Sequence, residues 1–409
     1  TFAKATLVAN NKTNEATDNY YVYFNIENNT FKYTLGEDKP ELILTVTGPD
    51  GNEVTEISGL THTTVKDREN KSISGFDVTT TNGIKTIANK KTITATPSKE
   101  EQYTLKLTFV NYEGDQTANA TSSLSAKVMI QKEKIVQTVA NICKNGQSLS
   151  SCISAMDGID ETLYHHNATL TNGANDNSYR YAGASDAVNN YVCFESTTTP
   201  CPTDNLYRII GVFGDKVKLI KSTSVGIKNW DSNGSNTWST SSLNTYLNNE
   251  FITTFDETTK GKIAETTWKV GGNTGANIVL QPAKTAYQNE VVKPNPGENF
   301  TETEYKAKIG LMYVSDYGFA AAPSAWTTNL NKYYDKAIKS ANWMYSSDGW
   351  TISREASELI MAYYIGSAVT YDRTGGIIGQ RSVHPAFYLS SSVTYESGGG
   401  TQTNPIRIN

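Results

Sequence analysis

Four cysteines stand in two close pairs, Cys143 with Cys152 and Cys193 with Cys201. Each pair would close a loop of roughly ten residues, and a bridge across such a loop stabilises a fold by about 2–3 kcal/mol in the chain-entropy model. The rival chemistry for four thiolates is a structural zinc site, whose paired cysteines stand closer together so that both sulfurs reach one tetrahedral ion. Neither spacing here suits that geometry. The cysteines therefore read as two disulfides, a chemistry of oxidising, extracellular compartments.

Other residues offer less. The four histidines, His62, His165, His166 and His384, are scattered over different regions. In an extended segment the adjacent His165 and His166 point to opposite faces and cannot chelate one ion. His384 precedes Pro385, which favours extended backbone, and reads as a packed, hydrogen-bonded histidine. Ser382 lies nearby, but the chain has no Gly-x-Ser-x-Gly elbow to expose a nucleophile. Asp231 to Thr237 alternates oxygen-bearing side chains as calcium loops do, without the glycine and closing glutamate of an EF-hand, so it reads as an Asx turn. The expectation is no catalytic residue, no metal, no cofactor and no enzymatic activity.

Aromatic residues crowd the stretch from Trp326 to Tyr371. Aromatic faces stack on sugar rings and give rigid contact area, while most tryptophans belong to cores. On the binding reading, Trp343, Tyr345, Asp348, Trp350, Tyr371 and Arg373 are the candidate ligand-binding residues. On the other, the tryptophans are packing.

Composition narrows the partners. The 409 residues carry 36 Lys plus Arg against 41 Asp plus Glu, a formal charge of -5 with both signs interspersed. Nucleic acid, which demands a basic face, is not an expected partner. No run approaches the ~18 apolar residues that span a bilayer, so no membrane insertion is expected. The chain opens at Thr1 without a basic, apolar leader, so an export signal or anchor is expected to lie outside it. The C-terminal run Gly398 to Asn409 carries no sorting motif.

These residues need elements to hold them. From Thr1 to about Ile130, short period-two strands alternate with Gly, Asn and Asp turns: Tyr20 to Ile26, Phe31 to Leu35, Leu42 to Thr47, Ile73 to Val78, Thr92 to Ala95, Tyr103 to Val110 and Leu124 to Ile130. Such spacing predicts a β-sandwich over 1–130, with Gly48 to Asn52 as a turn. In the first strand Ala3, Ala5, Leu7 and Ala9 share a face. That strand, with Phe2, either opens its own domain or completes a neighbour's sandwich by β-strand addition, stringing copies into a filament. Between 131 and 170, helical spacing of Ile135, Val136, Val139 and Ile142, then of Leu149, Ile153 and Met156, predicts two short helices stapled by Cys143 and Cys152 into a stiff connector. Over 171–409 the chain reads as α+β, with a hairpin turning at Gly214-Asp215 and a helix from Ser241 to Phe251 that Ser241 or Ser242 caps.

The strand pattern of the first 130 residues resembles bacterial immunoglobulin-like surface modules. Further on, Asn190-Tyr191-Val192-Cys193-Phe194, Asn205-Leu206-Tyr207-Arg208-Ile209-Ile210-Gly211, Gly310-Leu311-Met312-Tyr313-Val314-Ser315-Asp316-Tyr317-Gly318 and His384-Pro385-Ala386-Phe387-Tyr388-Leu389 resemble a group of exported surface proteins of gut-dwelling Bacilli. Relatives of that group carry a pilin-like segment where this chain has its sandwich. Trp350-Thr351-Ile352-Ser353-Arg354 and Gly379 to Leu389 are similar to the closing core of C-type-lectin-like folds, which display a variable loop surface for binding. These resemblances imply a multidomain protein: an immunoglobulin-like sandwich over 1–130, a helical connector over 131–170 and a C-type-lectin-like α+β domain over 171–409. They imply an extracellular, cell-surface structural or adhesive protein, a subunit of a filament such as a pilus, or of a layer, that self-associates through its N-terminal strand. The alternative is a monomeric module that binds a glycan or a host protein.

Overall fold

The computed structural model describes residues 2–11, 17–57, 60–94, 99–135, 138–298, 300–344, 349–366, 369–371 and 376–409. The chain divides into two compact units, Thr1–Gln137 and Thr138–Asn409, each with its own core. Several separate sheets make it a β-rich, multi-unit protein.

In the first unit the strands are β1 (Phe2–Asn10), β2 (Thr17–Asn29), β3 (Leu42–Thr47), β4 (His62–Lys66), β5 (Ser72–Asp77), β6 (Gly83–Thr94), β7 (Glu100–Phe109) and β8 (Leu124–Gln131). They form a five-stranded sheet, β1-β7-β3-β5-β4, and a three-stranded one, β6-β2-β8. Both sheets send alternate side chains into one core: Tyr20, Val22, Phe24 and Ile26 from β2 meet Leu44, Val46, Phe76, Tyr103 and Leu105 from the larger sheet. Period-two burial fixes that register, and each such side chain contributes about 1.5–3 kcal/mol. The turn at Gly48 to Asn52 forms as its sequence predicts, with Gly51 N–H donating to Gly48 O at 3.0 Å and Gly51 at φ 80°.

One expectation fails and one strand goes unannounced, each for a local reason. Phe31 to Leu35 is not a strand, because side chains take its amides: Phe31 N–H donates to Asn29 Oδ1, Lys32 N–H to Asn119 Oδ1 and Thr34 N–H to Glu41 Oε1. The strand β4, whose sequence is HTTVK, has no apolar alternation to announce it.

Strands of the second unit are β9 (Leu163–His165), β10 (Tyr179–Tyr181), β11 (Tyr191–Cys193), β12 (Leu206–Phe213), β13 (Lys216–Lys221), β14 (Ile227–Asn229), β15 (Thr266–Lys269), β16 (Glu304–Ala307), β17 (Ile309–Gly310), β18 (Gly349–Arg354), β19 (Ala362–Ile365), β20 (Val369–Tyr371), β21 (Gln380–Ser382), β22 (Ala386–Tyr388), β23 (Tyr395–Ser397) and β24 (Arg407–Ile408). A seven-stranded sheet runs β17-β22-β13-β12-β10-β9, with β11 also on β12, and a second runs β14-β21-β18-β19-β20. The hairpin at Gly214-Asp215 joins β12 to β13 as its turn chemistry dictates. Within β12 the register shifts between Ile209 and Gly211, and a Cβ on Gly211 would meet Tyr179 O at 2.2 Å. Only glycine lets β10 approach there.

The stapled connector expected over 131–170 is not a separate body. β8 carries the first unit to Gln131, and the helices Val139–Ile142 and Leu149–Ser154 bury Val139, Leu149, Cys152 and Ile153 in the core of the second unit. Their apolar stripes needed a partner, and the sheet of that unit supplies it. Ser241 does cap its helix, accepting Asn244 N–H. A helix at Val314–Ala320, closed by a capping box between Tyr313 and Asp316, has all seven residues buried. With no solvent face it has no amphipathic period, so its sequence does not announce it.

Candidate functional site

Both disulfides form, Cys143 to Cys152 with Cα atoms 5.3 Å apart and Cys193 to Cys201 at 5.9 Å, inside the range of unstrained bridges. The first joins the C-cap of one short helix to the interior of the next, and the second ties β11 to the loop leading into β12. Two such bridges and no free cysteine mark an extracellular or secreted protein.

The N-terminal strand lies at the edge of the larger sheet of the first unit. Its nine residues pair antiparallel with β7, from Phe2 opposite Thr108 to Asn10 opposite Glu100. Ala5 stands opposite the buried Leu105, on the core-facing row the alternation predicted. Yet Ala5 is exposed, along with Lys4, Thr6 and Val8, and Ala9 is buried. Five strands opposite three leave the edge strand partly uncovered, so one expected apolar position, Ala5, meets water. Among its described side chains only Ala9 is buried, while the ladder to β7 runs its full length. The side chains of Phe2, Ala3 and Leu7 lie outside the described residues.

Where that ladder ends, a cavity of about 630 Å³ opens, lined by Phe31, Leu42, Leu107, Phe109 and Leu124 together with polar groups of the 111–123 loop. Ala3 pairs with Leu107 and Phe2 with Thr108, so Phe109, the next residue of β7, passes beyond the first residues of β1.

The aromatic platform is not there. Trp343 is 4% exposed and Trp350 1%. The Trp343 indole donates to Tyr181 O at 2.7 Å and packs on the Arg208 guanidinium, and the Trp350 indole donates to Lys228 O at 2.8 Å. Both are core, which corrects the ligand-binding expectation for them. Tyr371 ends β20, paired with Tyr363. Tyr345, Asp348 and Arg373 lie outside the described residues.

What sequence spacing missed is a buried ionic cluster in the second unit. Lys218 Nζ donates to Asp316 Oδ2 at 2.6 Å, Arg180 Nη1 to Asp316 Oδ1 at 3.3 Å and Arg180 Nη2 to Asp176 Oδ2 at 2.6 Å. Lys218, Arg180 and Asp316 are at most 2% exposed. Burial pulls the Lys218 ammonium below its ordinary range against the pull of Asp316. Burial raises Asp176, but the Arg180 charge and hydrogen bonds from Ser178 and Tyr287 together outweigh it and hold that carboxyl well below the usual range. Beside them Glu290 accepts Ser315 N–H and Ser353 Oγ–H, each at 2.6 Å, and burial pushes it up to about 7. Lys218 and Asp316 are 98 positions apart, so no local pattern links them.

Elsewhere the plain readings hold. His384 Nδ1 meets Lys221 O at 3.1 Å, and Asp231 Oδ2 accepts the N–H of Asn233 and Ser235 as an Asx turn does. The buried His166 accepts Ala174 N–H, and burial holds it down to about 3. Among the described residues no group of three or more His, Cys, Asp or Glu side chains is placed to hold a metal ion, and no helix is long and apolar enough to cross a membrane.

Comparison with known proteins adds one likeness. No curated protein and no solved structure matches the chain. Residues 214–391 match the model of a domain of unknown function (DUF6273), a stretch that opens at the β12–β13 turn and takes in Lys218, Glu290 and Asp316.

Proposed function

We propose that this chain is an extracellular structural and adhesive protein of the cell surface, a subunit that polymerises into a filament or layer through exchange of β1. The observation that carries this reading is the state of β1: a nine-residue ladder to β7, with Lys4, Ala5, Thr6 and Val8 left exposed. A strand held mainly by main-chain hydrogen bonds makes the same bonds to β7 of a second copy as to its own, which is β-strand addition. An edge strand of this kind is a standing template for association. The apolar cavity beside Leu107 and Phe109 gives an incoming strand somewhere to place a side chain.

In this reading the first unit is an immunoglobulin-like sandwich serving assembly, and the second is a C-type-lectin-like domain that is displayed. The buried state of Trp343 and Trp350 removes two stacking faces from the rival, a glycan-binding monomer. The test is negative-stain microscopy of the purified chain with and without residues 1–10. Polymers from the full chain and none from the shortened one are expected, and polymers that survive the deletion contradict it.

A further inference from the structure

Lys218 and Asp316 meet in the geometry of an ion pair that is also the geometry of two reactants. Lys218 Nζ lies 2.6 Å from Asp316 Oδ2, and Cγ is one C–O bond further on, so the amine and the carbon it would attack are held side by side, the first requirement of a near-attack arrangement. Water does not compete, since the two side chains are 0% and 1% exposed. The rings of Tyr313, Trp268, Tyr388 and Phe213 surround Nζ at 4.4 to 5.9 Å. We infer that Lys218 and Asp316 condense to an intramolecular amide, a covalent strut between β13 and the helix Val314–Ala320.

The chemistry closes with the groups present. In a dry site the charged pair and the neutral amine–acid pair differ by one proton moved along the hydrogen bond, and burial favours the neutral form. Lys218 Nζ passes that proton to Asp316 Oδ2. Its freed electron pair then forms the C–N bond at Asp316 Cγ. Negative charge develops on Oδ1, where Arg180 Nη1 already donates at 3.3 Å, an oxyanion contact set in place before reaction. A second Nζ proton goes to the departing Oδ2, the C–O bond breaks, and water leaves, which also ends the bond that Oδ2 accepts from Tyr313 N–H at 2.9 Å. The lysine keeps one N–H as a secondary amide, and nothing is oxidised or reduced. Charge balance survives, because Arg180 and Asp176 remain as a pair. Condensation therefore removes two buried charges without orphaning a third.

Intact mass of the purified, denatured and thiol-reduced chain tests this. The expected mass falls short of the sequence by one water. Tandem spectra of a tryptic digest should show the peptide bearing Lys218 joined to that bearing Asp316, with no cleavage after Lys218. Lys218→Arg should restore the full mass. A wild-type chain at its full sequence mass overturns the inference and leaves an ion pair only, and so does a water deficit that persists in Lys218→Arg. Should that variant fail to fold, the digest of the wild-type chain decides alone.

Discussion

Arg180 bridges Asp176 and Asp316 from a site 2% exposed, while its guanidinium lies over the rings of Phe213, Tyr287 and Phe319. Removing one partner of a buried ion pair leaves the other charged and unsolvated, which costs about 3–5 kcal/mol. Arg180→Ala is expected to lower the unfolding free energy by that order in urea titration of the second unit, far beyond the ~0–1 kcal/mol that exposed pairs such as Lys260 with Glu257 contribute. Glu290 sets a pH dependence of definite sign. Its folded value of about 7 lies above its ordinary 4.5, so between these values the folded state binds more protons than the unfolded one. Stability from this group is fully present below pH 4.5 and is lost as pH rises through about 7. His166, held down to about 3, acts oppositely, withdrawing stability as pH falls below its ordinary 6.5. Between pH 5 and pH 8 the two groups oppose each other, so Glu290→Gln should lower the melting temperature at pH 5 relative to that at pH 8 when compared with the parent chain, and an unchanged pH 5-to-pH 8 difference would remove Glu290 from the account. At this scale the cysteines were legible, because their spacing alone separates bridges from zinc. Lys218 was not, because a lysine inside the strand KVKLIK differs from a solvated one only through an acid far along the chain.

Elements were legible where burial is one-sided. The strand β2 alternates Tyr20, Val22, Phe24 and Ile26 into the core, and β7 does the same with Tyr103 and Leu105, so their sequences announce them. The helix Val314–Ala320 is covered all round, and the 131–170 helices disclosed their apolar stripes but not the sheet that covers them. On β1 the alternation named the right row at Ala5 and misjudged its burial, since cover comes from the opposite sheet, which a strand's own residues do not report. The same limit hid the tryptophans: an indole that donates to a distant carbonyl, as Trp343 does to Tyr181, reads like one awaiting a ligand. The bridge between the first two helices of the second unit offers a clean test at this scale. Cys143→Ser with Cys152→Ser is expected to cost about 2–3 kcal/mol of stability, measured by urea denaturation under non-reducing conditions, without altering the sheets seen by circular dichroism.

At the scale of the molecule, a sandwich with β1 at its edge is joined in one chain to a disulfide-bonded unit that holds a buried ionic cluster. Polymerisation through that strand is the central claim. The register places Thr6 opposite Thr104, so Thr6→Cys with Thr104→Cys records which copy of β7 a given β1 occupies. Non-reducing electrophoresis of this double variant, purified and oxidised, reads the answer directly. Exchange predicts a covalent ladder of multimers that collapses to one band with reductant. A bridge confined to monomers would show that each chain keeps its own strand and would contradict the account.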